Sequence, residues 1–113
     1  MKTITITIII DENDKDYILQ IGENQYENDN LIKTNSQNDL WFHIDNASGP
    51  HFVLQNRGDS IPKRYLNYIA GLFPNYKSNL TKRYNVIYTE IKNVKLTNVP
   101  GQVTVSNVKL IKM

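Results

Sequence analysis

The chain has 113 residues and a net charge of +2, and 40% of its residues are hydrophobic, so it can bury one core without cross-links. It contains no cysteine, which excludes disulfides, thiolate zinc sites and a cysteine nucleophile. No apolar run is long enough to cross a bilayer. We therefore expect a single domain over residues 1–113, located in the cytoplasm.

The N-terminal third predicts a β-hairpin. Residues 3–10 alternate Thr with Ile, which is typical of a strand, and acidic residues follow with no small-residue cleavage site of the kind that ends a secretion signal. The polar cluster at 11–15 predicts a turn and residues 17–21 a second strand. The polar segment 23–30 is either a loop or a short helix.

The middle of the chain predicts two further strands and one helix. Strands are expected at 40–44 and 51–55, on either side of a Ser48-Gly49-Pro50 turn. The helix is expected to begin near Pro62, with Asp59 or Ser60 as its cap, and to end at Pro74. Its apolar stripe, predicted to pack on the sheet, is Leu66, Ile69, Ala70 and Phe73.

The last third predicts more strands. One is expected at 85–91, residues 94–100 should be irregular, and one or two strands should close the chain at 103–111. Strands thus outnumber helices. The predicted fold class is α+β, with a mostly antiparallel sheet and one main helix packed on it.

Residues 41–51 contain the only tryptophan and both histidines of the chain. Because side chains alternate along a strand, Trp41 and His43 point to one face, and His51 follows the turn. We predict that the three lie close together on adjacent antiparallel strands. The histidines either hold the turn, contact nucleic acid, or act in catalysis or metal binding with Asp39 or Asp45. Trp41 is either a core residue or a stacking platform for an unpaired base.

Basic residues dominate the C-terminal half. From Arg57 onward ten basic residues face two acidic ones, and tyrosines are interleaved with them between positions 63 and 88. This pattern suits single-stranded nucleic acid, although an ordinary solvated surface has it too. The candidates for phosphate contacts are Lys77, Lys82, Arg83, Lys92 and Lys95.

Several motifs, in matching order and spacing, resemble the NFACT-R family. The segment from Asp39 to Ile44 resembles its D-[LI]-W-[FL]-H-[VT] run, and Ser48 to His51 resembles the turn and histidine that follow. The weaker matches are Gly22-Glu23-Asn24, Asn28-Asp29-Asn30-Leu31, Val86-Ile87-Tyr88-Thr89, Val94-Lys95 and Gly101-Gln102-Val103. Two basic positions of the family differ, since Glu23 and Asn56 stand there.

The resemblance implies an RNA-binding module associated with tRNA or the ribosome in quality control. RNA is the implied partner rather than DNA, no cofactor or metal is implied, and no enzymatic activity follows from it. The candidate contact residues for such a partner are Trp41, His43 and His51, beside the basic candidates above. The implied motif residues are Asn28, Asp29, Asp39, Ser48, Gly49, Tyr88, Thr89 and Gly101. Two alternatives remain: a protein-interaction module without nucleic-acid affinity, and an RNA-modifying enzyme that uses His43 and His51.

Overall fold

The computed structural model describes residues 1–80 and 82–113. In chain order the strands and α-helices are β1 Lys2–Ile10, β2 Asn13–Ile21, α1 Gln25–Thr34, β3 Leu40–Ile44, β4 Phe52–Leu54, α2 Lys63–Ala70, β5 Asn85–Glu90, β6 Val94–Leu96, β7 Val103–Val105 and β8 Lys109–Lys112. The predicted α+β class with a mostly antiparallel sheet is confirmed. The described helices are too short to span a membrane.

Six strands form one sheet in the order β1-β2-β4-β3-β5-β8, and β6 pairs with β7 in a separate hairpin. All neighbouring strands are antiparallel. The predicted N-terminal hairpin is confirmed. Its turn consists of Asp11 and Glu12, both at positive φ (50° and 67°), which matches the twist of a two-residue hairpin turn.

One face of the sheet packs against α2. Leu66, Ile69 and Phe73 are 8%, 0% and 0% exposed, so the predicted burial of this stripe is confirmed. The ring of Phe73 stacks on Phe52 of β4, with centroids 3.8 Å apart and planes at 5°. The same core continues outward to Ile6 of β1 and, at the other end of the sheet, to β8.

The opposite face packs against α1 and the β6–β7 hairpin. Leu31 and Ile32 of α1 join Trp41 of β3, Val53 of β4 and Val94 of β6 in a second buried cluster. The central strands β3 and β4 are therefore covered on both faces. The alternation along β3 sends Phe42 into the first core and Trp41 into the second.

Three local expectations needed correction, and one open alternative is decided. Residues 94–96 form β6 instead of irregular backbone, because pairing with β7 satisfies their backbone groups. Of the two alternatives for segment 23–30, the helix is confirmed, since this segment enters a ten-residue helix capped by Asn24. The cap residue of α2 is Pro62, without a side-chain hydrogen bond, since Asp59 instead binds Lys15 and Tyr17. Phe73 and Pro74 belong to a separate 3-10 turn after α2.

Candidate functional site

Trp41, His43 and His51 meet on the α1 face of the sheet, which confirms their predicted proximity. The indole Nε1 of Trp41 donates a hydrogen bond to Nδ1 of His51 over 3.0 Å. The His43 ring stacks on the indole at 5.6 Å and 3°, and it meets the His51 ring edge-on at 4.8 Å. The three rings form one rigid cluster, which we call the Trp–His cluster.

Burial separates the roles within this cluster. Trp41 and His51 are each 1% exposed, whereas His43 is half-buried. Trp41 is therefore a core residue, and the stacking-platform alternative does not fit its position because no face of the indole is open to a base. His43, which covers the indole, is the ring of the cluster that a ligand can reach.

The buried imidazole of His51 is neutral. Burial, followed by the nearby His43, lowers the pKa of His51 from 6.5 to about 3, against an opposing backbone hydrogen bond with Gly101. Because Nδ1 accepts from the indole, the proton of the neutral ring lies on Nε2. Burial is also the main cause that lowers the pKa of His43. Its Nδ1 lies 2.6 Å from the carbonyl oxygen of Ile44.

Asn28 fixes the loop that carries His51. Its side-chain Oδ1 accepts from the backbone N–H of His51 over 3.1 Å, and its Nδ2 donates to the carbonyl of Gly49 over 3.4 Å. Gly22 makes this possible, because a Cβ at that position would lie 2.2 Å from Asn28 Oδ1. The glycine therefore admits the buried amide, which in turn sets the position of the turn.

Asp29 fixes the β6–β7 loop in a similar way. Its Oδ1 accepts from the backbone N–H of Gly101 over 3.0 Å. Gly101 has a φ of +82°, and a Cβ there would lie 2.7 Å from Cβ of Gln25, so a larger residue would be both strained and crowded. The neighbouring residues Asn28 and Asp29 thus bind the two loops that flank the Trp–His cluster.

The remaining motif residues hold the strand ends. The carboxylate of Asp39 accepts from the backbone N–H groups of Ser36 and Arg57, and the hydroxyl of Thr89 lies within hydrogen-bond distance of the carbonyls of Ser106 and Asn107, at 3.3 and 3.1 Å. Tyr88 stacks on Phe42 in the first core. With its carboxylate directed at backbone, Asp39 does not complete a metal site with the histidines. Over residues 1–80 and 82–113, no three potential ligands gather around a metal position.

These loops enclose a cleft of about 1250 Å³ that opens beside the Trp–His cluster. Its walls are the 45–51 loop, the 74–79 segment, the 99–103 loop and the start of α1. Lys77 lies in the wall next to Gly49, where a Cβ on the glycine would come within 3.2 Å of the lysine Cδ. Ser48 lines the cleft and is exposed. The cleft therefore combines one partly exposed imidazole, the cations of Lys77 and Lys2, the carboxylate of Glu23 and several backbone polar groups.

The basic residues predicted from the sequence divide into two groups. Lys77 lines the cleft. The other four are exposed and lie outside its described lining, and Lys92 makes an ion pair with Glu90 at 3.5 Å. They are Lys82, Arg83, Lys92 and Lys95. Lys2 also lines the cleft and was not predicted from the sequence. The alternating pattern of residues 3–10 indicates a strand, but it does not indicate which loops lie near the start of that strand.

The sequence of this chain is similar to those of several known proteins. The family model described as the NFACT protein RNA binding domain matches residues 6–107. Coiled-coil domain-containing protein 25 from Mus musculus is 34% identical over 94 residues, which cover 75% of this chain and 44% of that protein. The homolog from Dictyostelium discoideum is 31% identical over 107 residues, 88% of this chain and 52% of that protein. The chain thus spans about half the length of the curated relatives it matches.

A solved structure shares the fold. The C-terminal part of the fibronectin/fibrinogen-binding protein from Streptococcus suis superposes with a TM-score of 0.74 over 94% of this chain and 43% of that chain, at 24% identity. At this identity the likeness concerns the fold alone.

Proposed function

Because this chain belongs to the NFACT protein RNA binding domain family, we propose that it binds RNA and that the cleft beside the Trp–His cluster is where the RNA is held. The observation that carries this proposal is the convergence of the family motifs. Asn28, Asp29 and Gly101 hold the loops that form the cleft walls. Residues that lie far apart in sequence thereby shape the same cleft.

The chemistry of the cleft suits an unpaired stretch of RNA. Lys77 offers a cation for a backbone phosphate. The partly exposed ring of His43, backed by the indole, offers a flat surface to a base, and base stacking on such rings is the usual way to hold single-stranded RNA. Trp41 acts indirectly in this proposal, by supporting His43.

A binding role fits these histidines better than catalysis. The Nδ1 atom of His51 is occupied by the indole, and the ring is 1% exposed, so it cannot reach a substrate atom in this arrangement. His43 would then be without a partner for acid–base chemistry. We extend the proposal to tRNA or ribosomal RNA as the target and to the cytoplasm as the location. Sequencing the RNA that co-purifies with the chain tests the target.

The proposal predicts salt-dependent binding that depends on Lys77. Affinity for an unpaired RNA oligonucleotide should fall as salt rises, and Lys77→Glu should weaken binding and flatten the slope of log affinity against log salt by roughly 0.7–0.9, the loss of one phosphate contact. Fluorescence anisotropy at several salt concentrations measures both quantities. Charge reversal at the exposed Lys92 and Lys95 should weaken all RNAs about equally, if these outer lysines add phosphate contacts.

Lys63→Glu is the matched control, since it makes the same change of charge at an exposed position of α2, which packs on the opposite face of the sheet from the Trp–His cluster. It should leave the slope nearly unchanged. Binding that is absent at low salt, or insensitive to salt, would contradict the RNA proposal and favour a protein-interaction module. If the Lys63 and Lys77 changes altered the RNA affinity and its salt dependence equally, the cleft would not be the RNA-binding site.

A further inference from the structure

The outer edge of β1 is open along half of its length. β1 pairs with β2 on one side only, over residues 2–10. On the other side the backbone N–H of Ile9 donates to the hydroxyl of Tyr65 over 2.9 Å, and the Ile9 carbonyl accepts from Arg64 over 3.1 Å. Because outward and inward residues alternate along an antiparallel strand, the N–H and C=O groups of Thr7, Thr5 and Thr3 point outward as well. In the described parts of the chain, no strand pairs with that stretch.

This edge lacks the devices that usually keep edge strands apart. Apart from Lys2 at its start, β1 contains no charge and no proline, and its nine residues 2–10 pair with β2 without a bulge. Proteins generally protect such an edge with lysine, proline, a bulge or a covering segment. Here α2 covers only the Ile9 end, through Tyr65 and Arg64.

The sequence of the open stretch is self-complementary. Residues 3–7 read T-I-T-I-T, which is the same in both directions. We propose that this edge pairs with the same edge of a second copy of the chain, in an antiparallel register centred on Thr5. Threonine then faces threonine and isoleucine faces isoleucine, with Ile6 opposite Ile4 of the second copy. Such like pairs stabilise antiparallel strands, and a self-complementary surface is what a two-fold dimer requires.

A small cavity beside the edge fits the incoming strand. It measures about 420 Å³ and is lined by Thr5, Ile6, Thr7, Arg64, Tyr65 and Tyr68. The ring of Tyr68 is 57% exposed at its margin. In the proposed register Ile4 of the second copy stands opposite Ile6 and over this cavity, so pairing covers apolar surface as well as backbone.

Sedimentation equilibrium over a range of concentrations tests the proposal on the full chain. The wild type should show a monomer–dimer equilibrium. Thr5→Pro should raise the dissociation constant about tenfold or more, because two symmetric hydrogen bonds are lost. The β1–β2 pairing keeps its hydrogen bonds, since the N–H of Thr5 points away from β2. Thr5→Val, which keeps the N–H and the branched side chain, should dimerise like the wild type.

A second pair of variants decides the matter if the proline variant does not fold. Thr5→Lys places two like charges opposite each other at the dimer axis and should weaken the dimer. Thr104→Lys adds the same charge at an exposed position of β7 and should not. A wild type that stays monomeric wherever it is soluble would overturn the proposal. So would a folded Thr5→Pro or Thr5→Lys variant with the wild-type dissociation constant, or capture of a foreign strand by an otherwise monomeric chain.

Discussion

Phe73→Ala is expected to lower the free energy of unfolding by about 3–5 kcal/mol, the range for removing a buried aromatic side chain. Phe73 is 0% exposed and stacks face to face on Phe52 at 3.8 Å. It is separated from α2 by two residues and lies in a 3-10 turn that leads to the cleft wall at 74–79. The cavity left by the substitution would therefore separate the helix from the sheet and loosen that wall.

Urea denaturation followed by circular dichroism measures this loss. Tyr26→Ala serves as the control, because it also removes an aromatic ring but from a position that is 68% exposed. Its effect should stay within about 0.5 kcal/mol, as for most surface substitutions. A loss of less than about 1 kcal/mol in the Phe73 variant would show that the packing of α2 on the sheet is described wrongly.

Lowering the pH from 7 to 5 is expected to remove about 2 kcal/mol of stability through His51 alone. The pKa of His51 is about 3 in the folded chain, chiefly because of burial, against 6.5 as its ordinary value. Below about pH 6.5 the unfolded chain therefore binds a proton at His51, whereas the folded chain keeps this imidazole neutral. This contribution is fully present above pH 6.5 and is lost progressively as the pH falls toward 3.

The comparison that isolates this effect uses His51→Gln, which does not titrate. Urea denaturation at pH 7, 6 and 5 should give a smaller loss in the variant than in the wild type, with a difference of about 2 kcal/mol at pH 5. His43, whose pKa burial also lowers, remains in both proteins, so the difference reports His51 together with its coupling to His43. Equal pH dependence of the two proteins would mean that His51 is not held neutral between Trp41 and Gly101.

The sequence predicted the parts of the fold that local pattern determines. Alternation along 3–10 and 17–21 predicted the hairpin, and the spacing of Leu66, Ile69 and Phe73 predicted which helix face is buried. The strand at 94–96 was missed, because three residues carry too little periodicity. It forms by pairing with β7, a partner that only the folded chain brings near.

The candidate site was predictable in its members but not in its arrangement. Alternation on β3 and a short turn placed Trp41, His43 and His51 together. Both Trp41 and His51 are buried because α1 covers that face of the sheet, and their rings are then joined by the hydrogen bond from the indole to the imidazole. Nothing in the local sequence indicates this cover. The contact between Asp29 and Gly101 spans 72 positions, and nothing in either local sequence indicates it.

Mapping the residues that contact RNA tests whether the cleft beside the Trp–His cluster holds it. Amide chemical shifts of the ¹⁵N-labelled chain would be followed while an unpaired RNA oligonucleotide is added. We expect the largest shifts at His43, Gly49, Lys77 and Gly101, around the cleft, and little change at α2 on the other face of the sheet. Shifts confined to α2 or to the edge of β1, or no shifts at low salt, would contradict the assignment of RNA binding to this cleft.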